Sequence, residues 1–189
     1  MEKFKPQIPV RYGIIASAAG ITIGLLLYVF YATVLSSLFF APAIGLLLLC
    51  FIIFLAIWSG ITYRKENGGT VSFGHAFLSV YIVFLLNTLA GVGTQLLINK
   101  VIDPQYPDKA SSLLKGKLEE RFDKMNMTDD QIKEATKGVS REAFDPSFTK
   151  ILLSTAGYLA FWAVISLIAA AFIKRGSDDL INAGVGSTV

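Results

Sequence analysis

The polar side chains with the clearest potential for chemistry in this chain lie within an otherwise apolar segment. Asn87, Gly91 and Gln95 follow one another at steps of four, and Thr88 and Thr94 fall near the same side of a helix. Amide and hydroxyl groups in an apolar environment need hydrogen-bond partners, so this face should point towards other helices. Two interpretations stay open: a polar path for an ion or small solute, or hydrogen bonding between helices.

Groups that catalysis or metal binding would require are scarce. His75 is the only histidine and Cys50 the only cysteine, so the two cannot supply a zinc cage. No serine lies in a recognisable nucleophile motif, and no nucleotide-binding motif occurs. We therefore expect a protein that is not an enzyme and that carries no cofactor.

Charge is strongly segregated along the chain. No charged residue occurs from Tyr12 to Tyr63, whereas residues 100–150 contain ten basic and ten acidic side chains. About 20 apolar residues at a rise of about 1.5 Å cross a hydrocarbon layer of about 30 Å, so the lipid bilayer is the expected partner of the apolar part. The net charge is +3 and no basic run exceeds two residues, which predicts no nucleic-acid partner.

Four membrane-spanning helices account for the apolar segments. Proline disfavours helix continuation but suits a first turn, so the long first tract should break between Ser36 and Pro42. Asp145 as N-cap and Pro146 as the first helical residue should open the last span. We predict one all-α membrane domain over residues 1–189, with spans at about 12–35, 42–63, 73–98 and 147–173.

The first span carries small residues at the spacing that favours close helix packing. Gly20 and Gly24 are separated by three residues, which lets two helix backbones approach each other closely. Packing within the monomer and formation of a homodimer both fit this motif.

The charged insert, residues 103–146, has the pattern of folded helices. Thr128 and Gln131 form a capping box at the start of one of them. We predict an extramembrane helical hairpin between the third and fourth spans, with helices near residues 111–125 and 129–137. Its apolar stripe should pack on the helix bundle or dock another membrane or envelope protein. The stripe consists of Leu114, Leu118, Phe122 and Met125.

The basic residues that flank the spans predict an orientation. Basic side chains occur before the first span, between the second and third, and after the fourth, but not between the first two. By the positive-inside rule, both termini should be cytoplasmic. The eight basic residues of the insert would then lie outside, which runs against the same rule.

A turn motif and the order of the spans carry a family resemblance. The turn at residues 63–69, YRKENGG, leads into VSFGHAF at residues 71–77, and a long polar insert separates the third and fourth spans. Over residues 10 to about 175 the chain resembles DUF4199, a family of uncharacterised bacterial membrane proteins. The resemblance implies a multi-pass protein of the bacterial inner membrane and transfers no catalytic residue.

Two functions from different classes follow. The leading hypothesis is a noncatalytic integral membrane protein that acts in interaction, assembly or envelope maintenance, with the insert as its binding surface. The alternative is a small transporter or channel component whose polar path follows the third span.

Overall fold

The computed structural model describes residues 4–36 and 40–174, and every regular element in these ranges is helical. Eight α-helices occur in these ranges, and a π-helical turn, Ile98–Ile102, extends the fourth of them. The α-helices are α1 Gln7–Val29, α2 Tyr31–Ser36, α3 Phe40–Glu66, α4 Phe73–Leu97, α5 Tyr106–Lys124, α6 Asp129–Thr136, α7 Arg141–Phe144 and α8 Phe148–Lys174.

Four helices are long and apolar enough to cross a membrane, which confirms the predicted fold class. They cover Gln7–Val29, Pro42–Glu66, Phe73–Ile102 and Phe148–Lys174. Many of their large apolar side chains are exposed, as in Leu47, Leu153 and Phe172. Apolar surface of this extent is stable where lipid replaces water around the helix.

The helix ends differ in detail from the sequence-based expectation. The first span is not one uninterrupted helix, because α1 ends at Val29 and α2 begins at Tyr31. Backbone hydrogen bonds from Phe30 to Leu26 and from Val34 to Phe30, both 2.9 Å, continue the helical pattern across this point. The predicted break after Ser36 falls partly on residues 37–39, which lie outside the described residues.

Asp145 was expected to be the N-cap of the last span, and this prediction is wrong. Helix α8 begins at Phe148, and the carbonyl oxygen of Ser147 accepts the first helical hydrogen bond from the Ile151 amide at 2.9 Å. The carboxylate of Asp145 accepts a 2.7 Å hydrogen bond from Lys100 instead. Lys100, at the end of the third span, is thus the partner of this carboxylate, and the free amides of α8 are not.

Residue contacts divide the chain into two compact units, which we describe separately. The first unit draws on Met1–Gly20, Leu48–Ala90 and Thr155–Val189. Its core consists mainly of alanine, valine, leucine and isoleucine side chains, and Phe84 of this core stacks on Trp162 with ring centres 4.2 Å apart. Ser59 donates to the carbonyl oxygen of Ser79 at 3.0 Å, so this buried hydroxyl is satisfied.

The second unit, Ile21–Leu47 and Gly91–Ser154, contains the insert. Helices α2, α6 and α7 all pack on α5. The predicted insert helices are present, although α5 begins at Tyr106, five residues before the predicted start. Pro107 suits the first turn of α5, and the ring of Tyr106 packs edge-on against Tyr28 and Tyr31 at 5.2 and 5.5 Å.

Short loop motifs end the helices where the sequence places glycine or asparagine. Asn126 follows α5 with a φ of 56°, and the Met127 amide donates to the Phe122 carbonyl oxygen at 3.2 Å. The Thr128 amide then donates to Gln131 Oε1 at 3.0 Å, which is the reciprocal hydrogen bond of the predicted capping box. These bonds define the hairpin turn between α5 and α6.

Candidate functional site

The polar face of α4 is used mainly in contacts with other segments. In the first unit, Asn87 lies against Gly20, because a Cβ added at Gly20 would be 3.0 Å from Asn87 Oδ1. Thr88 is half-buried. Asn87 therefore occupies the space that the missing side chain of Gly20 leaves on α1.

In the second unit, the same helix face meets α1 and the insert. A Cβ added at Gly24 would lie 3.5 Å from the Thr94 methyl group. Gln95 Nε2 donates to the carbonyl oxygen of Phe144 at 3.3 Å. Gly91 is exposed, with open space where a side chain would point. Two groups that the sequence suggested separately, the α1 glycines and the α4 polar residues, thus lie against each other.

The π-helical turn contains a hydrogen bond that the sequence did not suggest. Asn99 is 4% exposed, and its Nδ2 donates to the Phe144 carbonyl oxygen at 2.7 Å. Lys100, the next residue, pairs with Asp145 at 2.7 Å. Turns of the π type are common at functional positions, and here the turn fastens the end of the insert to the end of α4.

The apolar stripe of the insert is only partly covered. Leu114, Leu118 and Phe122 are half-buried, whereas Met125 is 65% exposed. Ile132 of α6, at 7% exposed, and Ala110 of α5, at 0%, are well-buried apolar side chains of the hairpin. The stripe therefore keeps an apolar surface that another molecule can contact.

A polar groove of about 550 Å³ lies between α5 and the segment around α7. Arg141 crosses it to Asp108, with a nitrogen–oxygen distance of 3.0 Å. Both side chains are more than half exposed, so this ion pair contributes little stability. The groove offers hydroxyl and charged groups at the surface and is lined by Asp108, Lys109, Ser111, Ser112, Lys115, Val139, Ser140 and Arg141.

Hydrogen-bonded ion pairs shift the pKa of several groups of the insert. The hydrogen bond from Lys109 lowers the pKa of Asp103, and the same pair raises the pKa of Lys109. Hydrogen bonds from Lys124 and Lys117 lower the pKa of Glu120. Burial raises the pKa of Tyr106. These carboxylates are held in their charged form, which suits surface recognition better than proton transfer near neutral pH.

The turn after α3 anchors the N-terminal segment. Tyr63 is 1% exposed, and its hydroxyl oxygen accepts a 3.2 Å hydrogen bond from the Lys5 amide. Phe4 stacks on Tyr63 with ring centres 5.2 Å apart, and His75 lies 5.5 Å from Phe4. Sequence analysis noted the turn only as a motif, since residues 4, 63 and 75 are too far apart in the chain to suggest this cluster.

Hydrogen bonds and two glycines fix the path of that turn. Asn67 Nδ2 donates to the Tyr63 carbonyl oxygen at 2.7 Å, and Arg64 Nε donates to the Gly69 carbonyl oxygen at 2.6 Å. Gly68 and Gly69 have φ values of 75° and 84°, a region that glycine adopts without strain. Tyr63, Arg64, Asn67 and the two glycines of the motif YRKENGG therefore form a helix-terminating turn.

The two units differ in charge. Among the described residues, the first unit contains five basic side chains and one acidic one, Glu66. The second unit contains ten basic and ten acidic side chains. The five basic residues are Lys5, Arg11, Arg64, Lys65 and Lys174. Within residues 4–36 and 40–174, no three metal-ligating side chains cluster closely enough to hold an ion.

Fold and surface together define an all-helical protein with four helices long and apolar enough to span a membrane. A family model described as "Protein of unknown function (DUF4199)" matches residues 11–175, and the chain belongs to this family. The resemblance noted from the sequence is thereby confirmed. No match was found among the curated proteins or the solved structures.

Proposed function

We propose that this protein is a noncatalytic integral membrane protein that crosses the bilayer four times and binds another membrane or envelope protein through its insert. It would act in interaction, assembly or envelope maintenance. The observation that carries the proposal is that the insert is a folded helical module with a partly uncovered apolar stripe.

The anchoring of the insert supports a docking role. A flexible linker would need no specific contacts with the spans, but this insert has several. Asn99 and Gln95 both donate to the Phe144 carbonyl oxygen, and Lys100 pairs with Asp145. A surface held in this way loses less conformational entropy when it binds a partner.

The stripe itself supports an apolar contact with that partner. Met125 is largely exposed at the turn between α5 and α6, and Leu118 and Phe122 are half-buried beside it on α5. Methionine adapts its shape to a partner surface, and apolar residues bordered by charge are typical of interface centres. Charged residues of the same helix, such as Glu119 and Arg121, would form the rim.

For localisation, we propose the inner membrane of a bacterium, with both termini in the cytoplasm. The excess of basic side chains in the first unit supports this orientation by the positive-inside rule. The insert contains eight basic and ten acidic residues and so lacks the net positive charge of a typical cytoplasmic loop, although acidic residues count little in that rule.

The transporter alternative receives less support from the geometry. The polar residues of α4 would have to line a continuous path. Instead, Asn87 packs on Gly20, Thr94 packs on Gly24, and Gln95 donates to a backbone carbonyl oxygen of the insert. These contacts favour helix packing and anchoring as the role of the polar face.

Site-specific photocrosslinking in native membranes tests the docking proposal. A photoreactive residue at Met125 should capture one protein partner, and the same residue at Asp123, on the opposite side of α5, should not. The substitution Met125→Glu should prevent the partner from copurifying, whereas Asp123→Lys should not. Crosslinks from Met125 that stay within the chain, or equal capture from both positions, would exclude the stripe as the docking surface.

A further inference from the structure

A cavity of about 580 Å³ lies in the first unit between the last two turns of α3 and the end of α8. Its walls are apolar on both helices, with Ile57 and Ile61 on one side and Phe172 and Ile173 on the other. At its α3 end the lining changes to Arg64, Lys65 and the backbone of Gly69. The cavity thus combines apolar walls with two positive charges at one end.

A contact between α3 and α8 at Gly60 borders the cavity. Gly60 has no side chain, and a Cβ added there would lie 2.5 Å from Ile173 Cδ1 and 3.1 Å from Val80 Cγ2. The side chain of Ile173, which lines the cavity, therefore packs against the bare backbone of α3 at Gly60. Residues 57 to 65 of α3 extend about 12 Å along the helix axis, which is enough for part of a hydrocarbon chain.

Arg64 and Lys65 both have N–H groups that can donate hydrogen bonds to a ligand. Arg64 uses Nε in its hydrogen bond to Gly69, and within the described residues neither terminal guanidinium nitrogen has a partner within hydrogen-bond distance. Lys65 is exposed and has no ion-pair partner within 4.0 Å among those residues. Two basic side chains in the last turn of a helix also interact favourably with its dipole, but that alone requires no adjoining apolar cavity.

We propose that this cavity binds an anionic phospholipid, with the phosphate at Arg64 and Lys65 and one acyl chain along the groove between α3 and α8. The position fits this ligand, because the two cations lie at the very end of a span, Pro42–Glu66, where lipid headgroups are found. Phe172, 74% exposed beside the groove, provides an apolar contact for the same chain.

The apolar lining distinguishes a phospholipid from a free phosphate ion. A phosphate ion would contact only the two basic side chains, whereas a lipid would also cover Ile57, Ile61 and Phe172. The site does not depend on the docking role of the insert, since it uses only residues of the first unit.

The test is a titration of the delipidated full chain in detergent, followed by native mass spectrometry. The probes are phosphatidylglycerol, phosphatidylcholine with the same acyl chains, and inorganic phosphate. We expect phosphatidylglycerol to bind more tightly than phosphatidylcholine, and phosphate not to bind at the same concentration. Lys65→Gln should weaken phosphatidylglycerol binding about fivefold, and the added Arg64→Gln about fivefold more.

Matched controls separate a local site from a general effect of charge. Lys5→Gln removes one positive charge from the same unit at a residue that does not line the cavity. The affinity of this variant for phosphatidylglycerol should therefore stay unchanged. Arg64 also holds the turn through Gly69, so Lys65→Gln carries the test if the Arg64 variant fails to fold. Equal weakening by Lys5→Gln and Lys65→Gln would overturn the proposal.

A second pair of variants tests the acyl-chain groove. Ala169 lines the cavity, and Ala169→Leu should fill it and weaken phosphatidylglycerol binding at least fivefold. Ala171→Leu adds the same side chain at an exposed position of α8 and should have no effect. The proposal fails if phosphatidylcholine binds as tightly as phosphatidylglycerol, if phosphate alone binds equally well, or if the two alanine variants behave alike.

Discussion

Asn99 Nδ2 lies 2.7 Å from the carbonyl oxygen of Phe144, 45 residues further along the chain. This contact ties the π-helical end of the third span to the last residue of α7, immediately before the fourth span begins. Gln95 donates to the same oxygen at 3.3 Å. One backbone carbonyl of the insert is therefore held by two side-chain amides of one helix, which fixes where the insert returns to the membrane-spanning part.

Removing the Asn99 amide should loosen the end of the insert. Asn99→Leu takes away the shorter of the two hydrogen bonds at a nearly buried position, so we expect a loss of about 1–3 kcal/mol in unfolding free energy. Hydrogen exchange of residues 141–147 should accelerate. The control is Gln95→Leu. Gln95 is exposed and makes the longer hydrogen bond, so we expect this variant to lose less than about 1 kcal/mol in unfolding free energy. Unchanged exchange in the Asn99 variant would contradict the anchoring role.

Filling the space at Gly60 should destabilise the first unit. In Gly60→Leu the added side chain would collide with Ile173 and Val80, which forces α3 and α8 apart. Overpacking of this kind costs about 1–3 kcal/mol and should lower the thermal unfolding midpoint in detergent. Gly91→Leu is the matched control, because no atom lies within 4 Å of a Cβ at that position. Equal midpoints for the two variants would show that close helix approach at Gly60 is unimportant.

Acidification should loosen the insert. The hydrogen bond from Lys109 lowers the folded pKa of Asp103, and lysine partners likewise lower the pKa of Glu120 and Glu142. A carboxylate with a depressed folded pKa contributes stability above its unfolded pKa and loses it as pH falls through the folded value. We therefore expect protection of α5 to decrease below about pH 4.

Hydrogen exchange of residues 106–124, corrected for intrinsic rates, measures this effect. Lys109→Gln should flatten the acid response near Asp103. Lys133→Gln removes a lysine for which no ion pair occurs among the described residues, and it should leave the response unchanged. If protection falls with acid equally in both variants, groups other than the pair of Lys109 and Asp103 cause the loss.

The proposed orientation predicts which single cysteines are labelled from outside the cell. Cys50 is the only cysteine, so Cys50→Ala provides a clean background. Ser112→Cys, exposed on the insert, should react with a membrane-impermeant maleimide in intact cells. Thr70→Cys, exposed in the turn after α3, should react only after permeabilisation. The reverse pattern would invert the topology.

Several features of the fold follow directly from local sequence. Apolar length predicted the four spans, because about 20 residues without charge suit lipid whatever their neighbours are. The capping box at Thr128 and Gln131 was also predictable, since its hydrogen bond joins residues three apart. In contrast, the sequence predicted Asp145 to be an N-cap, but its carboxylate accepts a hydrogen bond from Lys100 of another segment.

The sequence by itself determined where the chain is apolar and which small and polar residues share a helix face, because these depend on periodicity and on neighbours within one turn. Only the tertiary structure decided what each face meets. It placed Asn87 against Gly20, paired the Phe144 carbonyl oxygen with Asn99, and formed the cavity that joins Ile61 and Ile173 to the two cations at the end of α3. Contacts between residues far apart in the chain depend on how helices approach, and that distance is set by the packing of all the side chains between them.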